Sequence, residues 1–119
     1  MGGLNEQEVR CLQRYCALLS ERLGDLLVEV RMFGSAARGD MWPSHAPQHS
    51  DIDLLVITRG AVEEAQAEAL VNATYPLYLE CGRQLSPQFF AQDRLGNPPD
   101  ARTREFIASI AGDARVVWP

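Results

Sequence analysis

The stretch that most constrains this chain is Ser50-Asp51-Ile52-Asp53-Leu54-Leu55-Val56-Ile57. Beyond its two carboxylates, apolar residues stand at both parities. Side chains of a strand alternate between faces, so such a run is tolerated only where both faces are covered. The segment therefore reads as a central strand with helices packed on it. Asp51 and Asp53, two residues apart, leave the same face, about 7 Å apart along the chain.

The flanking sequence supplies the layers. Asn5 followed by Glu8 resembles a capping box, and Val9, Leu12, Cys16, Leu19 and Leu23 recur at helical spacing, predicting an amphipathic helix that ends near Gly24. From Leu26 to Phe33 the residues are β-branched and alternating, with Val28, Val30 and Met32 on one face and Glu29, Arg31 and Phe33 on the other. Gly34 and Ser35 close that strand, and Ser35 is placed to cap a short helix through Arg38. Residues 40–50 carry two prolines, two histidines and no apolar period, which reads as a surface loop.

From 61 to 81, Val62, Ala65, Ala69, Ala73, Leu77 and Cys81 form a helical stripe with Gly82 as C-cap, and Pro76 inside it predicts a kink or a local break. Residues 83–90 are strand-like, 96–99 form a turn, 100–110 a helix and 114–118 a short strand. This alternation predicts an α/β (α+β) fold, a mixed sheet of about four strands flanked by helices. At 119 residues with 46% apolar content, the expectation is one domain spanning 1–119 around one core.

Composition narrows the function. A formal charge of −5 argues against direct nucleic-acid binding along a basic surface, so phosphate recognition has to be local. No apolar run approaches a membrane span and the N-terminus lacks a signal pattern, so the expected setting is cytoplasmic. Three cysteines, Cys11, Cys16 and Cys81, are odd in number and lack a CxxC, which suits packed thiols in a reducing compartment.

The residues with chemistry lie in two segments, Phe33-Gly34-Ser35-Ala36-Ala37-Arg38-Gly39 and the paired aspartates. A strand that ends in Gly-Ser and opens a helix leaves backbone N–H groups for anionic oxygens. Gly34 lets the backbone approach a phosphate, the Ser35 hydroxyl adds a bond, and the Arg38 guanidinium can point back at the same phosphates. Asp51 and Asp53 can share Mg²⁺, which takes one or two carboxylates and completes its shell with water and substrate phosphates. Taken singly, a serine cap and a polar strand entrance are ordinary. In this order, beside Arg38, they make a metal-nucleotide site.

Gly34, Ser35, Arg38, Gly39, Asp51 and Asp53 together resemble the GSxxRG and DxD hallmark of the minimal nucleotidyltransferases, within the polymerase-beta-like nucleotidyltransferase superfamily. Leu79-Glu80-Cys81-Gly82, Leu85-Ser86-Pro87 and the closing helix and strand look like the family's later elements. The resemblance implies that fold, ATP or another nucleoside triphosphate as donor, Mg²⁺ as cofactor, and Asp51 and Asp53 as catalytic metal ligands. It implies a nucleotidyl group, AMP foremost, moving to an acceptor hydroxyl. It also implies a protein partner, a HEPN-domain protein in a toxin-antitoxin pair, and leaves a homodimer open.

Two departures from the family pattern bear on catalysis. The usual third carboxylate on a following strand is replaced by Ser86, and Glu80 is the nearest substitute, to be weighed against a solvated residue in a last helical turn. The loop before Asp51 looks longer than in compact relatives and adds Trp42, His45 and His49, histidines read as solvent-exposed rather than metal-binding. Without a third carboxylate, the alternative is a non-catalytic nucleotide-binding module that neutralises its partner by contact.

Overall fold

The computed structural model describes residues 4–34, 51–112 and 114–119. The expected short helix through Arg38 and the loop carrying Trp42, His45 and His49 lie outside the described residues.

Helix α1 (Glu6–Leu23) begins where its residues dictate. The Asn5 side chain accepts the Glu8 N–H at 2.8 Å and the Glu8 carboxylate accepts the Asn5 N–H at 2.9 Å. Two donors that a helix start leaves unpaired are thus satisfied reciprocally. The buried stripe is wider than expected, since Cys11 and Tyr15 join Leu12, Cys16, Leu19 and Leu23.

Strands β1 (Leu27–Phe33), β2 (Ile52–Thr58), β3 (Leu85–Ala91) and β4 (Arg115–Trp118) form one sheet in the order β3-β2-β1-β4. β2 runs parallel to β3, and β1 is antiparallel to β2 and β4, so the sheet is mixed, as expected. Parallel neighbours need a crossover, and helices α2 (Glu64–Asn72) and α3 (Thr74–Cys81) supply it. The kink or local break expected at Pro76 is a break, and its place is corrected to Ala73. Pro76 is the third residue of α3, where its missing N–H has no intrahelical acceptor to lose.

After β3 comes a short helix, α4 (Gln92–Gly96), that apolar periodicity did not signal. Helix α5 (Ala101–Ile110) follows, its start fixed by the Asp100 carboxylate accepting the Thr103 N–H at 2.7 Å.

β2 is covered on both faces. Ile52, Leu54 and Val56 join Leu12, Tyr15 and Leu19 of α1 in the larger core, which Leu70 and Leu77 of the crossover complete. The buried Tyr15 hydroxyl donates to the Leu70 carbonyl at 2.8 Å, and burial raises its pKa. On the opposite face Leu55 and Ile57 pack with Phe33 and Ile110. Phe106 of α5 lies edge-on to Phe33 at 5.6 Å and stacked on Phe90 at 5.7 Å. Val28 belongs to this second cluster and not with Val30 and Met32, because an irregularity between Leu27 and Glu29 interrupts the strict alternation of β1.

The reading of three packed thiols is also corrected. Cys11 and Cys81 form a disulfide between α1 and α3, with Cα atoms 6.7 Å apart. The inference of a reducing compartment from thiol usage loses that support. Cys16 remains a buried free thiol, pushed up to about 11 by its burial. Among the described residues, no helix is long and apolar enough to cross a membrane.

Candidate active site

The antiparallel pairing of β1 and β2 sets Phe33 opposite Asp53. The chain therefore leaves β1 at Gly34 beside the point where it enters β2. Gly34 has φ +78°, and a Cβ there would stand 2.6 Å from Asp53 Oδ2. Only glycine permits this contact without displacing one of the two. The glycine turn and the second aspartate are thus neighbours, 19 positions apart in sequence (53 − 34).

Asp51 is exposed just before β2, and Asp53 is partly buried one pleat further on. By parity both project from the face that carries Leu55 and Ile57, at the end of that layer. Burial raises the Asp53 pKa above the ordinary carboxylate value, the charge of Asp51 raises it further, and Arg83 opposes the rise. Two carboxylates whose mutual repulsion is felt in this way suit a divalent cation, with water and phosphate oxygens filling its remaining positions.

The parallel pairing of β2 and β3 brings Ser86 opposite Asp53. A hydroxyl therefore stands on the adjacent strand beside the second aspartate. Glu80 takes no part in this grouping. It is exposed and ion-paired with Arg14 of α1, and its backbone carbonyl accepts from Gln7 Nε2 at 2.6 Å. The reason is the packing of α3, whose Leu77 enters the larger core, on the face opposite the one from which the aspartates project. Among the described residues, no three His, Cys, Asp or Glu side chains converge as a metal-holding group. Ser35 and Arg38, read as phosphate ligands, lie outside the described residues.

Arg83 went unnoticed in the sequence. It occupies the turn between α3 and β3, and its side chain is only 6% exposed, a burial that a guanidinium accepts only with partners. Arg83 Nη1 lies 3.6 Å from Glu8 Oε1 of α1. The next residue, Gln84, accepts the Ile52 N–H through its carbonyl at 2.8 Å, anchoring this turn against the segment between the two aspartates. An arginine between glycine and glutamine looks like surface until α1 is seen to cover it.

Comparison with known proteins supports the architecture. The nucleotidyltransferase domain family matches residues 16–110. A spectinomycin adenyltransferase, AAD(9) from Enterococcus faecialis, solved with ATP and spectinomycin, aligns with a TM-score of 0.62 at 18% identity over 90% of this chain and 47% of its own. This chain thus spans about half the length of that enzyme. A mutant of the MntA-HpeT toxin-antitoxin aligns at 0.54 and 17% identity over 97% of this chain and 72% of its own. A structure designated a minimal nucleotidyltransferase aligns at 0.50 and 26% identity, over 90% and 93%. No curated protein matches the chain in sequence.

Proposed function

Since the chain belongs to the nucleotidyltransferase domain family, we propose that it is a single minimal nucleotidyltransferase domain that moves AMP from ATP to a hydroxyl of a partner protein. The observation that carries this reading is Gly34 against the carboxylate of Asp53, which unites the phosphate-facing turn with the acidic pair. In the reaction, the acceptor oxygen forms a bond to the α-phosphorus, the bond from that phosphorus to pyrophosphate breaks, and the hydroxyl proton leaves to a base. Asp51 and Asp53 would hold Mg²⁺, which when bound supplies electrostatic stabilisation of the phosphoryl oxygens. Gly34, Ser35 and Arg38 would seat the phosphates.

The partner we propose is a HEPN-domain protein in a toxin-antitoxin pair, in the ATP-rich cytoplasm. What supports it is the likeness to the MntA-HpeT toxin-antitoxin structure. The test is incubation with labelled ATP, Mg²⁺ and the protein encoded beside this chain. Label should appear on that protein and vanish with Asp53→Asn. An unlabelled verified partner sinks the reading.

A second reading, a nucleotide-binding module that neutralises its partner by contact alone, is favoured by one specific observation. Glu80 is held by Arg14 while Ser86 stands opposite Asp53. Nucleotide binding and neutralisation without label transfer would select it.

A further inference from the structure

The crossover helices carry apolar side chains on two sides. Leu70 and Leu77 are buried in the larger core, while Val71, Tyr75, Tyr78 and Leu79, between 40% and 65% exposed, face solvent. We propose that this outer stripe is the docking surface for the partner protein, and that its occupant is an amphipathic helix of that partner with lysine or arginine beyond one end of its apolar face. The inference deepens the reading of a protein partner and rests on it.

Spacing makes the four residues one surface. Ala73 keeps helical dihedrals, φ −66° and ψ −14°, so the last turn of α2 leads onto the first of α3. Positions 71, 75 and 78 then recur at i, i+4 and i+7, and Leu79 lies one turn beyond Tyr75. The rings of Tyr75 and Tyr78 are 6.5 Å apart. Among the described residues the fifth large hydrophobic left exposed is Val116, on β4, so the apolar exposure is concentrated here. The four side chains present on the order of 400 Å² of apolar and aromatic surface, a size that marks an interaction site on a monomer. It is also about half of what one partner gives to a standard interface, enough for the centre of one. Glu64 and Glu68, exposed and one turn apart on α2, continue the same side toward its N-terminus.

Charge selects the occupant. Residues 61–82 contain four glutamates and no lysine, arginine or histidine. A second copy laid stripe to stripe brings the same glutamates and no cation from these helices to meet them, and an anionic lipid surface is repelled. A partner helix whose apolar residues cover the tyrosines and whose basic residues reach Glu64 and Glu68 complements both parts of the stripe. Its direction follows from the fold. Beyond α3 the chain passes through Gly82 to Gln84, whose carbonyl accepts the Ile52 N–H between the two aspartates. The tyrosine end of the stripe and the acidic pair therefore share one end of the sheet. A helix docked in this way keeps its basic end remote from Asp51 and Asp53 and directs its other end toward them.

The experiment is a calorimetric titration of the whole chain with the protein encoded beside it, at low and high salt, with thermal melts and sedimentation of every variant. Tyr75→Ala and Leu79→Ser should each weaken binding by about tenfold, the scale of a truncated interface anchor. Val116→Ser, equally exposed but on β4, should leave it unchanged. Glu64→Gln with Glu68→Gln should weaken binding by roughly threefold at low salt, with the difference fading at high salt. Wild-type affinity in both Tyr75→Ala and Leu79→Ser overturns the proposal and leaves the partner reading standing. If Tyr75→Ala melts early, Leu79→Ser decides alone. Tighter binding by the glutamate variant overturns the basic character of the occupant. A dimer of the chain by itself that Leu79→Ser splits makes a second copy the occupant, and overturns the proposal too. Wild-type protein that does not bind its neighbour sinks the partner reading, and this inference with it.

Discussion

The two faces of the sheet are built to different ends. On one, α1 and the crossover helices enclose fifteen described buried residues, from Cys11 to Leu85, in a continuous core. On the other, the described buried cluster is four residues, Phe33, Leu55, Ile57 and Ile110, under α5. The aspartates stand at the end of the thinner layer. A thick layer supplies the surplus of apolar burial, and a thin one leaves a sheet end where charged groups remain near water. On the proposed function, stability and chemistry fall on opposite sides of one strand.

That division can be tested by its extremes. Asp53→Asn should lower nucleotidyl transfer by roughly a thousandfold, the scale of losing several kcal/mol of transition-state charge stabilisation. Its melting behaviour and far-UV dichroism should stay near wild type, and collapse of the fold would erase the distinction between the faces. Leu54→Ala and Leu55→Ala make the sharpest pair, being adjacent, both fully buried and on opposite faces. In denaturant unfolding, Leu54→Ala should lose about 4 kcal/mol, and Leu55→Ala about 2 kcal/mol because its thinner layer can relax into the space. Equal losses break the comparison.

Gly34→Ala tests where the two ends of the thin face meet. A methyl group at φ +78° and 2.6 Å from Asp53 Oδ2 should lose roughly 1–2 kcal/mol of stability and displace the carboxylate. The loss of transfer should exceed the loss of stability. The smallest expected effect is one of pH. The folded-state pKa of Asp53 lies above its unfolded value of about 3.9, so its favourable contribution is complete below that pH and is lost as pH rises through the folded pKa. Without metal, Asp53→Asn should therefore melt slightly higher than wild type at neutral pH, with the gap closing below about pH 4. A gap of the opposite sign places Asp53 in a net favourable field.

Much of the thick side was legible in the sequence because local rules and burial agree there. The Asn5–Glu8 cap, the stripe of α1 and the two-parity run of β2 each carry their own signal. Pro76 signals the break in the crossover but not its place, because a proline is tolerated in the first turn of a helix and the break therefore falls before it, at Ala73. Of the two readings of Glu80 the structure favours the solvated one, paired with Arg14, because packing, which leaves no local sign in sequence, decides which side of the sheet α3 occupies. Cys11 and Cys81, 70 positions apart, have no local sign of their pairing. Arg83 is the same case in electrostatic form: nothing near it in sequence reports that Glu8 covers it.

Glu8 closes the first turn of α1 and also holds Arg83 in the turn before β3. One carboxylate therefore answers to a helix end and to a buried arginine at once. Across homologous chains, positions 5, 8 and 83 should drift as a trio, since an exchange tolerable for the helix alone leaves the arginine without its holder.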